Sequence, residues 1–502
     1  MTKKKAGSRK NKILETARKN FGFESLRPGQ EEAIRALLRK KDALVIMPTG
    51  SGKSAIYQIA GLLMEGVTLV ISPLIALQKD QVDSINENAG DAEAVAINST
   101  QRVSETREAW EQIEEGSGKF IFLAPEQLRK QETMEALEAA GVALFVIDEA
   151  HCISEWGHDF RPDYLQLGPA IERLGHPVVL AMTATASPDV REEIGRRLGM
   201  REPKIFVQGF DRPNIYLRVD RFEKEEQKMD ALIHRVHWAD KPGIVYTGTR
   251  KAAEEIMRRL AEEGVDALFY HGGLKAAERT EIQERFMSGN AEVIVATNAF
   301  GMGVDKADVR FVYHYEVSDS LDSYYQEIGR AGRDGEKAEA VLFFRAEDIG
   351  SQGYRATETK LEPEQVEQVA EAIAEQEGPV EPEDVAEQAN LPESKLVSAL
   401  HRLEEVGALE VLPTGEVQLS ERADLAEAAR EAAEEQERRR AMRKQRLDEM
   451  REYADTSACR REHLLRYFGD EFIGPCRNCD NCEAAAPEIT VDPSVGTRRE
   501  VA

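Results

Sequence analysis

Apolar runs of three to five residues recur along the first 350 residues, each separated from the next by a stretch with helical spacing of its apolar positions. Ala43–Ile46, 69–72, 120–123, 143–147 and 178–182 form one set; 244–247, 268–270, 293–297, 311–315 and 341–344 form a second. The runs are continuously apolar, where a half-exposed strand would alternate. Both faces of each strand must then be covered, as in a parallel sheet with helices on both sides. The pattern predicts two α/β lobes, 21–208 and 209–348, preceded by a basic tail at 1–20 and followed by a linker at 349–362. Beyond them, helical periodicity at 366–376, 382–388 and 394–406 precedes two short strand runs around Pro413-Thr-Gly415. That predicts a winged-helix-like module at 363–420. A long charged helix at 421–450, a small helical unit at 451–483 and a disordered tail at 484–502 are expected to follow, without a C-terminal accessory domain.

The first strand run empties into Met47-Pro-Thr-Gly-Ser-Gly-Lys-Ser54. Glycines in such a turn let backbone N–H groups curl around phosphate oxygens, a lysine reaches the terminal phosphates, and a hydroxyl opening the next helix ligates magnesium. Thr49, Gly50, Ser51, Gly52, Lys53 and Ser54 are expected to bind a nucleoside triphosphate. Met47 stands where the usual pattern has its first glycine. The run 143–147 delivers Asp148-Glu149-Ala150-His151. An acidic pair at a strand end supplies what a phosphate loop lacks: Asp148 to hold magnesium and Glu149 to polarise the attacking water. Far downstream, 324–335 carry Arg330 and Arg333 three residues apart, on one face if the stretch is helical. Arginines supplied from a second lobe stabilise transition-state charge, worth on the order of 10³ to 10⁵ in rate, and make hydrolysis depend on lobe closure.

In this order the elements resemble a superfamily 2 helicase, and the finer detail resembles the RecQ DNA helicases over 21–348 and again over 447–482. The resemblance implies two RecA-like lobes with ATP between them and 3′-to-5′ movement on single-stranded DNA. Phe21-Gly-Phe-Glu-Ser-Leu-Arg-Pro-Gly-Gln30 resembles that family's adenine-recognition segment, in which Phe23, Arg27 and Gln30 would hold the base. Segments 72–81 and 123–126 correspond to DNA-backbone contacts, 183–185 to the coupling of ATP to the strand, and 296–305 to a joint DNA and nucleotide contact. Gln326 would position water or sense the γ-phosphate. Cys152-Ile-Ser-Glu-Trp-Gly-His-Asp-Phe-Arg-Pro162 resembles the aromatic loop of RecQ enzymes; Trp156 and Phe160 offer stacking faces worth about 1 to 3 kcal/mol per base, with His158 and Arg161 as polar partners. The chain departs from the family plan by carrying its winged-helix-like module ahead of the zinc unit.

Four of the five cysteines are grouped: Cys459, then Cys476, Cys479 and Cys482. Two successive Cys-x-x-Cys spacings with one distant thiol point to a tetrahedral structural zinc site rather than disulfides. Substituting Cys479 is expected to unravel that unit alone, each lobe having its own core. Cys152 is read as a small buried side chain. The net charge of −26 looks wrong for a protein that binds phosphates. Residues 361–440 explain much of it, holding 22 acidic against 7 basic side chains. A basic channel within the lobes stays open, and an acidic surface suited to high salt is one reading of the rest. No run of eighteen apolar residues is present, which predicts no membrane span and a cytoplasmic, nucleoid-associated protein.

The expected function is an ATP-dependent 3′–5′ DNA helicase serving repair, recombination or replication, using ATP, Mg2+ and Zn2+. Its partners would be single-stranded and duplex DNA, with either DNA or a protein at the winged-helix-like module. The rivals are an RNA helicase and an ATP-gated nucleic-acid-binding scaffold.

Overall fold

The computed structural model describes residues 2–485 except 49, 74, 89–92, 99–100, 102, 116–117, 155–160, 302–303, 356–362, 377, 390, 406, 413–415 and 421–424. In the first lobe, β1 (Ala43–Ile46), β2 (Val67–Ile71), β3 (Glu93–Ile97), β4 (Gly118–Leu123), β5 (Val142–Ile147), β6 (Val178–Thr183) and β7 (Lys204–Val207) form a sheet in the order β3-β4-β2-β5-β6-β1-β7, every pair parallel. In the second, β8 (Ile215–Arg221), β9 (Gly243–Tyr246), β10 (Ala267–Tyr270), β11 (Val293–Ala296), β12 (Phe311–His314) and β13 (Ala338–Phe344) run in the order β10-β11-β9-β12-β13-β8, again parallel throughout.

Successive side chains of each strand enter opposite cores. Leu44 and Ile46 join Phe145 and Ile147 on one face, whereas Ala43 and Val45 join Leu144 and Val146 on the other. Helices Gln30–Leu37 and Ser54–Leu63 cover the second face. Burial on both faces is why these strands are apolar throughout. In the second lobe Gly243 lies beneath the Phe311 ring, where an added Cβ would come within 2.0 Å of it. Only glycine lets the two strands pack there.

Residues 1–20 were expected to form a tail, but the chain is helical over Thr2–Phe21. Ile13 and Ala17, one turn apart, are fully buried against the helix that follows the phosphate loop. A short apolar stripe thus docks an otherwise basic helix.

After the second lobe, helices Pro363–Ala374, Pro382–Ala389 and Glu393–Glu405 and the antiparallel pair β14 (Leu409–Val411) and β15 (Val417–Leu419) enclose a separate core that includes Val369, Ala370 and Leu403. This unit packs on the long helix Leu425–Asp455. Its Glu404 lies 3.6 Å from Arg129 of the first lobe, which also pairs with Asp163 at 2.9 Å. Arg402 is buried and so is not displayed for groove contacts, and the half-buried Lys395 donates to Gln365 at 3.0 Å. On the long helix, Arg446 is drawn inward by Asp319 and Asp322 instead of joining an outward basic track.

The last unit, with helices Arg460–Tyr467 and Asp480–Ala484, does not have an independent core. Leu464, Leu465, Phe468 and Cys479 belong to the same buried cluster as Ile215, Leu217, Tyr324 and Tyr325 of the second lobe. Among the described residues, no helix is long and apolar enough to cross a membrane.

Candidate active site

β5, β6 and β1 are neighbours in the sheet, with Ile147 opposite Ala181 and Ile46 opposite Thr183. Their C-terminal ends therefore set the acidic pair, the Thr183–Thr185 segment and the phosphate loop side by side, where open α/β sheets hold ligands. Gly50 and Gly52 take φ of +77° and +81°, which the loop requires and other residues resist. Lys53 closes the loop by donating from Nζ to the Met47 carbonyl at 2.9 Å. Burial lowers its proton affinity, while Glu149 and Asp148 oppose that shift. Ser54 opens the following helix. Ser51 Oγ is buried without a partner, as expected of a hydroxyl awaiting a ligand oxygen. Thr49 lies outside the described residues.

Two of the three adenine-segment side chains meet the phosphate loop itself. Gln30 donates from Nε2 to the carbonyls of Gly52 at 2.8 Å and Ser51 at 3.3 Å, and Arg27 donates to that of Gly50. The Arg27 N–H in turn donates to Gln30 Oε1 at 2.8 Å. Phe23 stacks on Phe21 with ring centres 5.9 Å apart and stays 40% exposed, leaving one π face open.

Burial, then repulsion from Glu149, pushes the Asp148 carboxyl up to about 6, against the pull of Lys53. Glu149 has φ +48° and ψ +48°. A left-handed non-glycine residue costs about 1 to 3 kcal/mol, and here it turns the chain out of β5 so that the carboxylate faces the cleft. From it a polar chain crosses to the second lobe. Glu149 Oε2 lies 3.3 Å from His151 Nδ1, which is 2.9 Å from Thr183 Oγ1; that hydroxyl donates to Thr185 O at 2.9 Å. Gln326 Nε2 then donates to Thr185 Oγ1 at 3.3 Å.

Arg330 and Arg333 do not share a helix face. The helix Leu321–Ile328 ends before them, and both lie in the loop beyond, where Gly332 takes φ +56°. The loop nevertheless holds Arg333 on Asp305, whose Oδ1 lies 3.8 Å from where a Cβ on Gly50 of the phosphate loop would stand. Arg333 Nη1 bonds Asp305 at 2.7 Å and the Val304 carbonyl at 2.8 Å, its Nε has no partner, and its charge disfavours protonation of Lys53 across the cleft. Arg330 is buried, with its Nε likewise unpartnered. A cavity of about 240 Å³ separates the lobes here, lined by Glu149, His151, Thr247, His314, Gln326 and Arg330 among others.

Trp156, His158 and Phe160 lie outside the described residues. Arg161 bonds through its N–H to Cys152 O at 2.9 Å and through Nη1 to Pro73 O at 3.4 Å. Cys152 is fully buried.

The Sγ atoms of Cys459, Cys476, Cys479 and Cys482 lie within 4.8 Å of one another, with Cys476 and Cys482 3.9 Å apart. A zinc tetrahedron with bonds of about 2.3 Å has edges of about 3.8 Å, so the thiols fit the metal. Sequence reasoning passed over His151 as a relay and missed Arg212 and Asn214, which bind the arginine loop. The Asp-Arg-Pro-Asn turn between the lobes was the signal available.

Comparison with known proteins agrees with this geometry. Residues 27–194 match the DEAD/DEAH box helicase family, 227–335 the helicase conserved C-terminal domain, and 420–483 the RecQ zinc-binding family. The ATP-dependent DNA helicase RecQ of Pasteurella multocida is 37% identical over 94% of this chain and 62% of its own length; that of Bacillus subtilis is 44% identical over 69% and 58%. The chain thus spans about three-fifths of the RecQ relatives it matches. Among solved structures, the DUF1998 helicase MrfA bound to DNA superposes with a TM-score of 0.56 at 18% identity, covering 83% of this chain and 63% of MrfA, a likeness of fold. Paired parallel-sheet lobes with the phosphate loop, acidic pair and arginine loop at their junction define the class as a two-lobed helicase motor. With the zinc unit joined to that motor, the chain is similar to the RecQ helicases, whose zinc-binding family its residues 420–483 match.

Proposed function

We propose that this chain is an ATP-dependent DNA helicase that moves 3′ to 5′ along single-stranded DNA and parts the duplex ahead of it. The observation that carries the reading is the phosphate loop of one lobe facing Asp305 and its partner Arg333 of the other, a Cβ on Gly50 standing 3.8 Å from Asp305 Oδ1, on a motor joined to a RecQ zinc unit. Ser54 and Asp148 would hold magnesium, which when bound neutralises phosphate charge. Lys53 binds the terminal phosphates, and Glu149 accepts a proton from the attacking water. Gln326, bonded to Thr185, orients that water or reports the γ-phosphate. Arg333, helped by Arg330, meets the charge that develops as the phosphoryl group leaves, so hydrolysis waits on closure. Phe23, with Arg27 and Gln30 beside the loop, selects adenine. Trp156, His158, Phe160 and Arg161 engage the strand and relay its presence through Cys152 and His151 to Glu149.

We read 363–420 as a winged-helix-like module whose buried Arg402 and acidic surface suit a protein partner better than DNA. The enzyme would act on chromosomal DNA in the cytoplasm. DNA-stimulated ATP hydrolysis, with displacement from forks bearing a 3′ tail and none from a 5′ tail, is the expected result. Equal stimulation by matched RNA would favour an RNA helicase. ATP binding without displacement would favour a scaffold.

A further inference from the structure

The chain passes from β7 to β8 through 208–214, and this connection is bonded on two flanks. On one flank lies the zinc unit. Phe210 N–H donates to Asp470 Oδ2 at 2.9 Å, Asn478 Nδ2 donates to the carbonyls of Pro213 at 2.9 Å and Ile215 at 3.1 Å, and Arg461 pairs with Asp211 at 3.3 Å. On the other flank lies the loop that carries Arg330 and Arg333. The Arg212 guanidinium donates from Nη1 to Gly329 O at 3.0 Å and from Nη2 to Ala331 O at 2.8 Å and Gly332 O at 3.0 Å. Asn214 Nδ2 donates to Gly332 O and Glu336 O, each at 2.8 Å.

Three of these carbonyls belong to the peptide units around and between the two arginines. Without a donor they would be acceptors left unpaired in a half-buried loop, costing about 1 to 3 kcal/mol apiece if fully enclosed. A guanidinium presents several donors in one fixed plane, whereas a lysine offers a point charge that cannot span three carbonyls. The seat is also shaped for the loop: a Cβ on Gly332 would come within 2.4 Å of Asn214 Nδ2.

We infer that Arg212 is a positioning residue for the reaction: it ties the loop bearing Arg330 and Arg333 to the connection between the lobes, so that lobe movement sets where those arginines stand. Arg212 acts through the loop, which accepts bonds from both of its Nη atoms. Asn214 serves the same seat. The inference rests on the ATP-hydrolysing reading above and adds to it the residues that aim the arginines.

The test is steady-state ATP hydrolysis with saturating single-stranded DNA by the full chain carrying Arg212→Lys, Asn214→Asp or Arg333→Ala, and by the double variant Arg212→Lys with Arg333→Ala. Displacing a catalytic group by about 1 Å can cost up to about 100-fold. Arg212→Lys and Asn214→Asp should each lower kcat by about 10- to 100-fold while leaving the KM for ATP within about 3-fold. The double variant should be little slower than Arg333→Ala alone, because the seat matters only while the arginine is there. Unchanged kcat in both single variants, a rise in KM that accounts for the whole loss, or multiplying losses in the double variant would overturn the inference. Should either variant fail to fold, the other carries the same comparison. No hydrolysis by the unaltered protein would overturn the function itself; hydrolysis that is lost in Arg333→Ala yet intact in both Arg212→Lys and Asn214→Asp would overturn this inference alone.

Discussion

Phe468→Ala tests whether the zinc unit is a separate body or part of the second lobe. The ring is fully buried, stacks on Phe210 with centres 4.6 Å apart and planes 20° apart, and meets Tyr325 at 4.8 Å. Its carbonyl accepts from Arg191 Nη2 of the first lobe at 2.6 Å. Truncating such a phenylalanine costs about 3 to 5 kcal/mol, against a total of about 5 to 15 kcal/mol for a typical domain. For a cooperative unit of the second lobe plus the zinc unit, of the order of 200 residues, each kcal/mol is worth about 2 to 4 °C, so the transition should fall by roughly 6 to 20 °C. The four cysteines are untouched, so zinc content should stay at one per chain. Tyr325 precedes Gln326 on its helix, so hydrolysis below the new transition should also slow. Scanning calorimetry with metal analysis reads both. A zinc unit that melts early while the transition of the second lobe keeps its temperature would refute the shared-core argument.

Lys53→Ala should abolish ATP hydrolysis and strand displacement with the fold intact, as circular dichroism would show; surviving displacement would contradict the helicase reading. Arg333→Ala should bind ATP nearly normally yet hydrolyse it on the order of 10³-fold or more slowly, and equal damage to affinity and turnover would make it a ground-state contact. Trp156→Ala should keep basal hydrolysis and lose its stimulation by single strands, measured by titrating DNA into the ATPase assay. Cys479→Ser should lose zinc, whose apparent binding energy in small zinc units is on the order of 10 to 16 kcal/mol, and should take ATP hydrolysis down with it; unchanged hydrolysis at the original thermal transition would count against the coupling.

Much of the architecture was legible because a strand covered on both faces must be apolar at every position, as Ala43–Ile46 and 143–147 are. The strands passed over are β3, β7 and β8. β3 and β7 are the two edges of the first sheet, β7 with Ile205 and Val207 exposed, and β8 alternates, its Arg218 and Asp220 pairing on the outer face. The phosphate loop and the cysteines could be read from spacing alone, since their chemistry is local. The arginine loop was located, its arginines sharing a face only if the stretch were helical; the helix in fact ends at Ile328, ahead of both. The Asp-Arg-Pro-Asn turn marked Arg212 as part of a turn but not what it binds, because its partners are more than a hundred positions away. The expectation that the lobes would outlive the zinc unit left out a long-range contact of the same kind: the Tyr324 and Tyr325 rings pack on Tyr453 and Phe468 from the far end of the chain.

That distance has a consequence during synthesis. The second lobe is complete in sequence at Phe344, but Phe468 and the last cysteines emerge more than a hundred residues later, after the self-contained unit at 363–420 has been made. At 5 to 20 residues per second the delay from Phe344 to Ala485 is roughly 7 to 28 s. Throughout it, Phe210, Tyr324 and Tyr325 present an aromatic face with no cover, on a ribosome-bound chain exposed to its neighbours. Production of this protein should therefore depend on zinc supply and on holding chaperones at the late stage of elongation. A chain cut at residue 348 would carry that bare face permanently, which makes aggregation, rather than a minimal motor, its expected fate.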